Sequence, residues 1–303
     1  MAGKDKEESG GGGGGGLRFL YNPDTGEVLG RTGASWFKIT VFYIIFFICL
    51  AAFWTVMLVI FYQTLDAFKP KWTLDASLIG TVPGLGFRPR PPEDNIDSTL
   101  IYFKAGAGNK KTYQHWVDDM NSFLEPYNNA GTTGEYLDQC SDGATAPEGK
   151  ACIVKLEEMF MHNSNCSSKE DYGYKYGTPC VILKINKIYG WKPAPYENNF
   201  PPGFPEELKS GYDGSNVYIS CEGENAADQE NMGPIQFHPR PYIQHKYFPY
   251  TNVPGYLPSF IFAQFVRPER GVLINVECKA WAANIVHDRQ ERIGTVHFEL
   301  MID

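Results

Sequence analysis

Three hydrophobic patterns run along this chain, and each predicts a different element. Residues 39–65, ITVFYIIFFICLAAFWTVMLVIFYQTL, contain no charged side chain in twenty-seven positions. About 20 apolar residues cross a hydrocarbon core of ~30 Å, and a soluble core helix rarely runs so long without a charge. The stretch predicts a transmembrane helix. A cleavable signal peptide would carry a shorter apolar core near its start, whereas this one follows a long polar tail at 1–38, so it is expected to stay as a signal-anchor. Trp36 and Phe37 precede it and Phe61 and Tyr62 close it, ring types that favour the headgroup level.

Beyond the span the pattern loosens. Residues 69–92 hold five prolines and three glycines, which excludes regular helix and predicts an extended stalk over 66–98. At 111–127, Tyr113, Trp116, Val117, Met120, Phe123, Leu124 and Tyr127 recur every three or four positions, predicting one helix with a buried face. Elsewhere the period is two: Val272, Ile274, Val276 and Cys278 alternate with Leu273, Asn275, Glu277 and Lys279, as do Val296, Phe298, Leu300 and Ile302 with Thr295, His297, Glu299 and Met301. Further strands are expected at 99–104, 152–160, 180–188, 216–221 and 259–266, punctuated by Gly, Pro and Asn. The whole reads as mainly β, with an antiparallel sandwich and one helix over 99–303.

Charge and cysteines give this architecture a direction. The chain has 27 basic and 35 acidic residues, a net charge of -8, with no Lys/Arg stripe to track phosphates, which argues against a nucleic-acid partner. Five basic and five acidic residues balance within 1–38, so the whole negative charge belongs to the part after the span. Of seven cysteines, Cys49 lies in the span; Cys140, Cys152, Cys166, Cys180, Cys221 and Cys278 follow it. An even set in an oxidising compartment reads as three disulfides. Six cysteines allow fifteen pairings, among which spacing does not choose; the simplest is sequential. The sequon Asn165-Cys166-Ser167 lies on the same side. Together these predict a cytosolic N-terminus and an extracellular C-terminus. The unbroken run Gly10 to Gly16 reads as a flexible linker rather than a phosphate loop, since no strand leads into it.

Catalytic signatures are sparse. A type II glycosyltransferase would often carry Asp-x-Asp, which is absent; Asp118-Asp119 reads as the solvated side of a helix. No HExxH, CxxC or GxSxG occurs, and His238 and His245 read as surface residues. No catalytic residue, metal or cofactor is expected. The informative excess is aromatic: 44 Phe, Trp and Tyr residues, ten of them in 36–62. Phe42, Phe46, Phe47, Phe53 and Trp54 suit lipid, but the Tyr43 hydroxyl favours a hydrogen-bond partner on another helix. Outside, His245-Lys-Tyr-Phe-Pro-Tyr250 gathers rings beside Pro249, as core packing or as a docking surface.

Several stretches, in order, resemble the beta subunits of sodium/potassium-transporting P-type ATPases, a family shared with the proton/potassium pump. They are Phe19-Leu-Tyr-Asn22, Leu29-Gly-Arg-Thr-Gly33, Ser35-Trp-Phe-Lys-Ile39, Tyr172-Gly-Tyr-Lys-Tyr-Gly-Thr-Pro-Cys180, Tyr247-Phe-Pro-Tyr250, Phe262-Ala-Gln-Phe265 and Val276-Glu-Cys-Lys-Ala280. The resemblance implies a noncatalytic glycoprotein of the plasma membrane with an immunoglobulin-like outer sandwich. It implies sequential disulfides: Cys140 with Cys152, Cys166 with Cys180, Cys221 with Cys278. The expected partners are the catalytic alpha subunit and membrane lipid, with a small single-span regulatory subunit as a further candidate. Tyr43, Phe46 and Phe47 would face the alpha subunit in the membrane, and Tyr247, Phe248, Pro249 and Tyr250 would lie at its outer contact. Departures from the family pattern are Phe47 in place of a tyrosine, Ile48 and Ala52 in place of glycines, and a single sequon. The runner-up readings are a proton/potassium pump subunit, a type II cell-adhesion protein and a type II enzyme.

Overall fold

The computed structural model describes residues 20–22, 26–78, 80–95, 98–128, 135–160, 165–197, 199–288, 290–291 and 293–303. The glycine run, and with it most of the expected flexible tail, lies outside the described residues. The chain divides into two compact units, Met1–Asp66 and Ala67–Asp303.

In the first unit, β1 (Tyr21–Asn22) and β2 (Glu27–Val28) form a small antiparallel hairpin. Helix α1 (Gly33–Gln63) follows, 31 residues with none buried. At 1.5 Å per residue it is about 46 Å long, more than a ~30 Å hydrocarbon core requires. It begins six residues before the charge-free stretch because Ser35, Trp36, Phe37 and Lys38 all tolerate helix. Absence of charge marks where lipid is expected; it does not mark where helical hydrogen bonding starts. The Trp36 indole donates to the Val28 carbonyl at 2.8 Å, fixing the helix start to the hairpin.

The second unit is a β-sandwich. One sheet has the strand order β10-β8-β12-β13-β4, built from β4 (Leu100–Phe103), β8 (Val217–Gly223), β10 (Tyr242–Ile243), β12 (Leu273–Trp281) and β13 (Thr295–Ile302). The other has the order β3-β7-β11-β9, from β3 (Leu85–Arg88), β7 (Cys180–Ile185), β9 (Ile235–His238) and β11 (Phe260–Phe265). All pairs in the two sheets are antiparallel except β4 with β13, which run parallel with Phe103 opposite Ile302. Between the sheets, Phe298 stacks on Phe87 at 5.1 Å and meets Phe265 edge-on at 6.1 Å. All three are buried.

Helix α2 (Lys110–Asn128) packs along the side of the sandwich where edge strands β3 and β4 lie. Trp116 donates to the Tyr102 carbonyl at 3.0 Å, and Tyr127 donates to the Pro258 carbonyl at 2.7 Å. Covering an edge in this way blocks strand addition. A second aromatic cluster, Phe204, Tyr218 and Trp281, is ringed by Tyr196, Phe200, Tyr212 and Tyr242.

Three expectations change. The second half of the expected stalk is β3, paired with β7 and contributing Leu85 and Phe87 to the core; prolines border it without interrupting its four residues. The strand expected at 152–160 is the short β6 (Ala151–Cys152), parallel to β5 (Leu137–Asp138), and then α3 (Leu156–Met159). Glu157 and Glu158 break the alternation and occupy a first helical turn, where the helix dipole favours acids. His238 is buried on β9, its Nε2 2.9 Å from the Gln264 Oε1.

Three disulfides join Cys140 to Cys152, Cys166 to Cys180 and Cys221 to Cys278. The third links direct partners on β8 and β12. Asn165 is half-buried beside the fully buried Cys166.

Candidate functional site

Two surfaces collect the residues singled out by sequence. On α1 the helical spacing sets Phe42 over Phe46 and Tyr43 over Phe47, with ring centroids 6.3 and 6.1 Å apart. Neighbouring members of these ladders meet edge-on at 5.5 Å. Tyr43 is 51% exposed, Phe46 47% and Phe47 59%. The ladders are therefore braced against each other while their outer faces remain available, and no polar partner is recorded for the Tyr43 hydroxyl among the described residues. Cys49 is free and exposed on the same helix.

The outer surface is built around a short helical turn, His245–Tyr247, followed by Phe248, Pro249 and Tyr250. Tyr247, Phe248 and Tyr250, the three rings of this segment after His245, do not share one role. Phe248 packs edge-on against Trp191 at 5.4 Å. Tyr250 is half-buried, 4.9 Å from the Tyr256 ring and 6.4 Å from Tyr189, and its hydroxyl donates to Asn252 at 2.7 Å. Lys187 holds its ammonium 5.3 Å from both the Tyr250 and Tyr256 rings. The Gly190 amide donates to the Tyr250 carbonyl at 2.9 Å, which ties the segment to the chain leaving β7. A cleft of about 450 Å³ opens alongside, lined by Phe68, Tyr136, Tyr189, Asn252 and Pro254. A second, of about 310 Å³, is lined by Gly149, Lys192, Phe248 and Pro249.

Tyr247 departs from its expected place at an outer contact. It is 4% exposed and belongs to the core. Aromatic composition could not reveal this, because the turn that exposes Tyr250 swings Tyr247 inward. Its hydroxyl is buried with no hydrogen-bond partner among the described residues. Burial, with Glu158 and Asp142 nearby, raises its pKa far above the ordinary tyrosine value. Removing an unpaired buried hydroxyl restores no lost bond and lifts a desolvation cost. Tyr247→Phe is therefore expected to leave the melting temperature of the chain unchanged or raise it. A fall of several degrees would show that the hydroxyl is bonded.

Lys246, beside it, is 5% exposed and pairs with Asp142 at 2.8 Å. The Lys246 ammonium, through its hydrogen bond and its charge, holds the Asp142 carboxyl below the usual carboxylate range. Asp142 itself is 69% exposed, so water screens much of the pair. Asp142→Ala is expected to cost about 1–2 kcal/mol in urea unfolding at neutral pH, mainly by stranding the lysine. Because the folded carboxyl has the depressed pKa, that stabilisation is present above the unfolded value near ~3.9 and fades as pH falls below it. The urea midpoints of the two chains should converge in acid.

Tyr256, which gathers with Pro258 as a second aromatic stretch in the sequence, joins Tyr250 here; the roles of Lys187 and Tyr189 had no signal of their own in the sequence. No group of three or more His, Cys, Asp or Glu residues is placed to hold a metal among the described residues.

The described residues thus form a disulfide-stapled β-sandwich and, among them, one helix long and apolar enough to cross a membrane, and the singled-out surfaces are aromatic. Comparison with known proteins makes the class specific. The family model described as the sodium/potassium ATPase beta chain matches residues 13–298, and the chain belongs to that family. It is 43% identical over 300 residues to the sodium/potassium-transporting ATPase subunit beta-2 of Drosophila melanogaster, covering 94% of this chain and 91% of that protein. It is 39% identical over 286 residues to the probable subunit beta-3 of Caenorhabditis briggsae, covering 94% and 86%. The human subunit beta-2 is 29% identical over 317 residues, covering 99% and 98%.

Proposed function

We propose that this chain is the noncatalytic beta subunit of a sodium/potassium-transporting P-type ATPase, anchored in the plasma membrane with its N-terminus cytosolic and its sandwich extracellular. The family match over nearly the whole chain carries the reading. In it, Tyr43, Phe46 and Phe47 pack against the catalytic alpha subunit's membrane helices, with lipid on the remaining faces of α1. Phe248, Pro249 and Tyr250 contribute to the outer contact, and Tyr247 supports them from the core. Asn165 carries a glycan. Six of the seven cysteines serve the fold, consistent with an accessory chain whose companion holds the ATP site and ion path.

Assembly is the mechanism: docking stabilises the folded companion and favours its delivery to the membrane. It modulates potassium affinity only as far as this chain's contact energy differs between the pump's states. A small single-span subunit is a further candidate member of the complex. The test is purification through this chain in mild detergent from native membranes, followed by assay for potassium-stimulated ATP hydrolysis. A stoichiometric P-type ATPase that requires sodium is expected; proton dependence would reassign the pump, and a chain that purifies alone would overturn the reading. Tyr250→Ala is the informative single variant, with reduced companion yield expected and unchanged yield counting against the outer contact.

A further inference from the structure

The ends of β3 and β7 carry a row of cations on an outer unit that is otherwise acidic. Arg88 faces Ile182 in the register and Gly86 faces Lys184, so the two charges lie on adjacent strands. Lys187 follows just beyond the end of β7. From the Arg88 level to Lys187 is five residues along the chain, roughly 17 Å at strand spacing.

These cations are seated mostly on rings. Arg88 and Lys184 both approach Phe123 of α2, at 5.9 and 5.7 Å. Arg90 lies 4.9 Å from Phe87, and Lys187 spans Tyr250 and Tyr256. The carboxylate touching the row, Asp119, is already committed: it accepts from the Arg88 guanidinium at 2.9 Å and from the Arg90 amide at 3.0 Å. Lys184 has no hydrogen bond or ion pair recorded among the described residues, although it is half-buried. Burial and the like charges of Arg88, Lys187 and Arg90 all push its pKa down. Ring faces answer such charges weakly compared with a carboxylate. A cleft of about 290 Å³ lies beside Arg88 and Phe123, lined also by Ser122, Tyr127 and Pro258.

We infer that the row Arg88, Lys184 and Lys187, continuous with the Tyr250–Tyr256 ring pair, docks an acidic segment on the outer surface of the partner ATPase chain. The inference rests on the assembly reading above and names the chemistry of one of its contacts. A row of this length fits a segment presenting carboxylates in succession better than a single small anion, whose charge would engage one end only.

The test uses the complex purified through the full chain. A water-soluble carbodiimide activates carboxylates, and a lysine in contact then forms an amide while the reagent leaves as a urea. Peptide mass spectrometry identifies the joined pairs. Lys184 or Lys187 joined to Asp or Glu of the large companion is expected, and K184Q/K187Q should retain severalfold less companion than the unaltered chain at low salt, a difference that shrinks as salt is raised. Lys187→Gln alone, on an exposed side chain, serves if the double variant folds poorly. The inference is overturned if the companion is present and other lysines couple to it but Lys184 and Lys187 do not. It is equally overturned if their couplings lead to a second copy of this chain, or if added sulfated glycan or anionic lipid takes up the row without disturbing the companion. Absence of any companion sinks the assembly reading instead.

Discussion

Cys221→Ser with Cys278→Ser is expected to leave a chain that no longer folds stably. The two residues are direct partners on the neighbouring strands β8 and β12, both in the central part of the five-stranded sheet. Their bond closes the longest of the three disulfide loops, with a sequence separation of 57 against 12 and 14 for the others. The chain-entropy relation puts a loop of that size at about 4 kcal/mol, a large share of the ~5–15 kcal/mol that holds a domain together. Within that loop lie the rest of β8, β9, β10 and β11, so both sheets lose a restraint at once. The measurement is secretion-pathway retention and protease sensitivity of the variant, beside the corresponding Cys140/Cys152 variant, whose shorter loop should cost less. Equal surface delivery of the Cys221/Cys278 variant and the unaltered chain would refute the expectation. Since none of these sulfurs can be catalytic in this reading, any loss of pump activity on reduction should track loss of the folded sandwich.

Gly173→Ala is expected to be as damaging, for a reason confined to one atom. Residues Asp171, Tyr172 and Gly173 all have positive φ, at 48°, 50° and 79°, an unusual succession for L-residues. The turn aims Tyr172 and Tyr174 into the interior, where Tyr172 donates to Asn121 on α2 at 2.7 Å. A Cβ at Gly173 would sit 2.0 Å from the Thr178 carbonyl oxygen, which belongs to backbone and cannot rotate away. The Thr178 amide also donates to the Gly173 carbonyl at 3.0 Å, so relieving the collision breaks the turn that leads into Cys180 and β7. A destabilisation of about 4 kcal/mol or more is expected, the range reserved for clashes that the core cannot absorb. Gly149, also at positive φ but with open space around its Cβ position, is the control, and its alanine variant should cost only about 1 kcal/mol. Comparable urea midpoints for the two variants would contradict this account.

Much of this architecture could be read from residue order. Helix α1 was legible because twenty-seven successive positions carry no charge, and β12 and β13 were legible because one face of each is buried and the other is wet. Helix α2 showed its spacing for the same reason. What escaped was set by distant packing. Strand β3 is four residues between prolines and has no period to display; only pairing with β7 reveals it. The parallel partnership of β4 with β13 joins segments 200 residues apart, which no local pattern encodes. Tyr247 and Tyr250 look alike in sequence, and a single turn sends one inward and leaves the other half-exposed. The cation row was hidden because its members come from two strands and their aromatic seats from α2 and the segment after Tyr247.

The parallel pairing also imposes a schedule. Thr99, just ahead of β4, bonds Glu299 of β13 at 2.7 Å. At synthesis rates of about 5–20 residues per second, β4 emerges roughly 10–40 s before the strand that completes its sheet exists. Throughout that interval the edge of β4 that β13 will cover has no strand partner. Chaperone occupancy should therefore depend on elongation speed between these two strands, and slow codons there would lengthen the time that this edge stays uncovered.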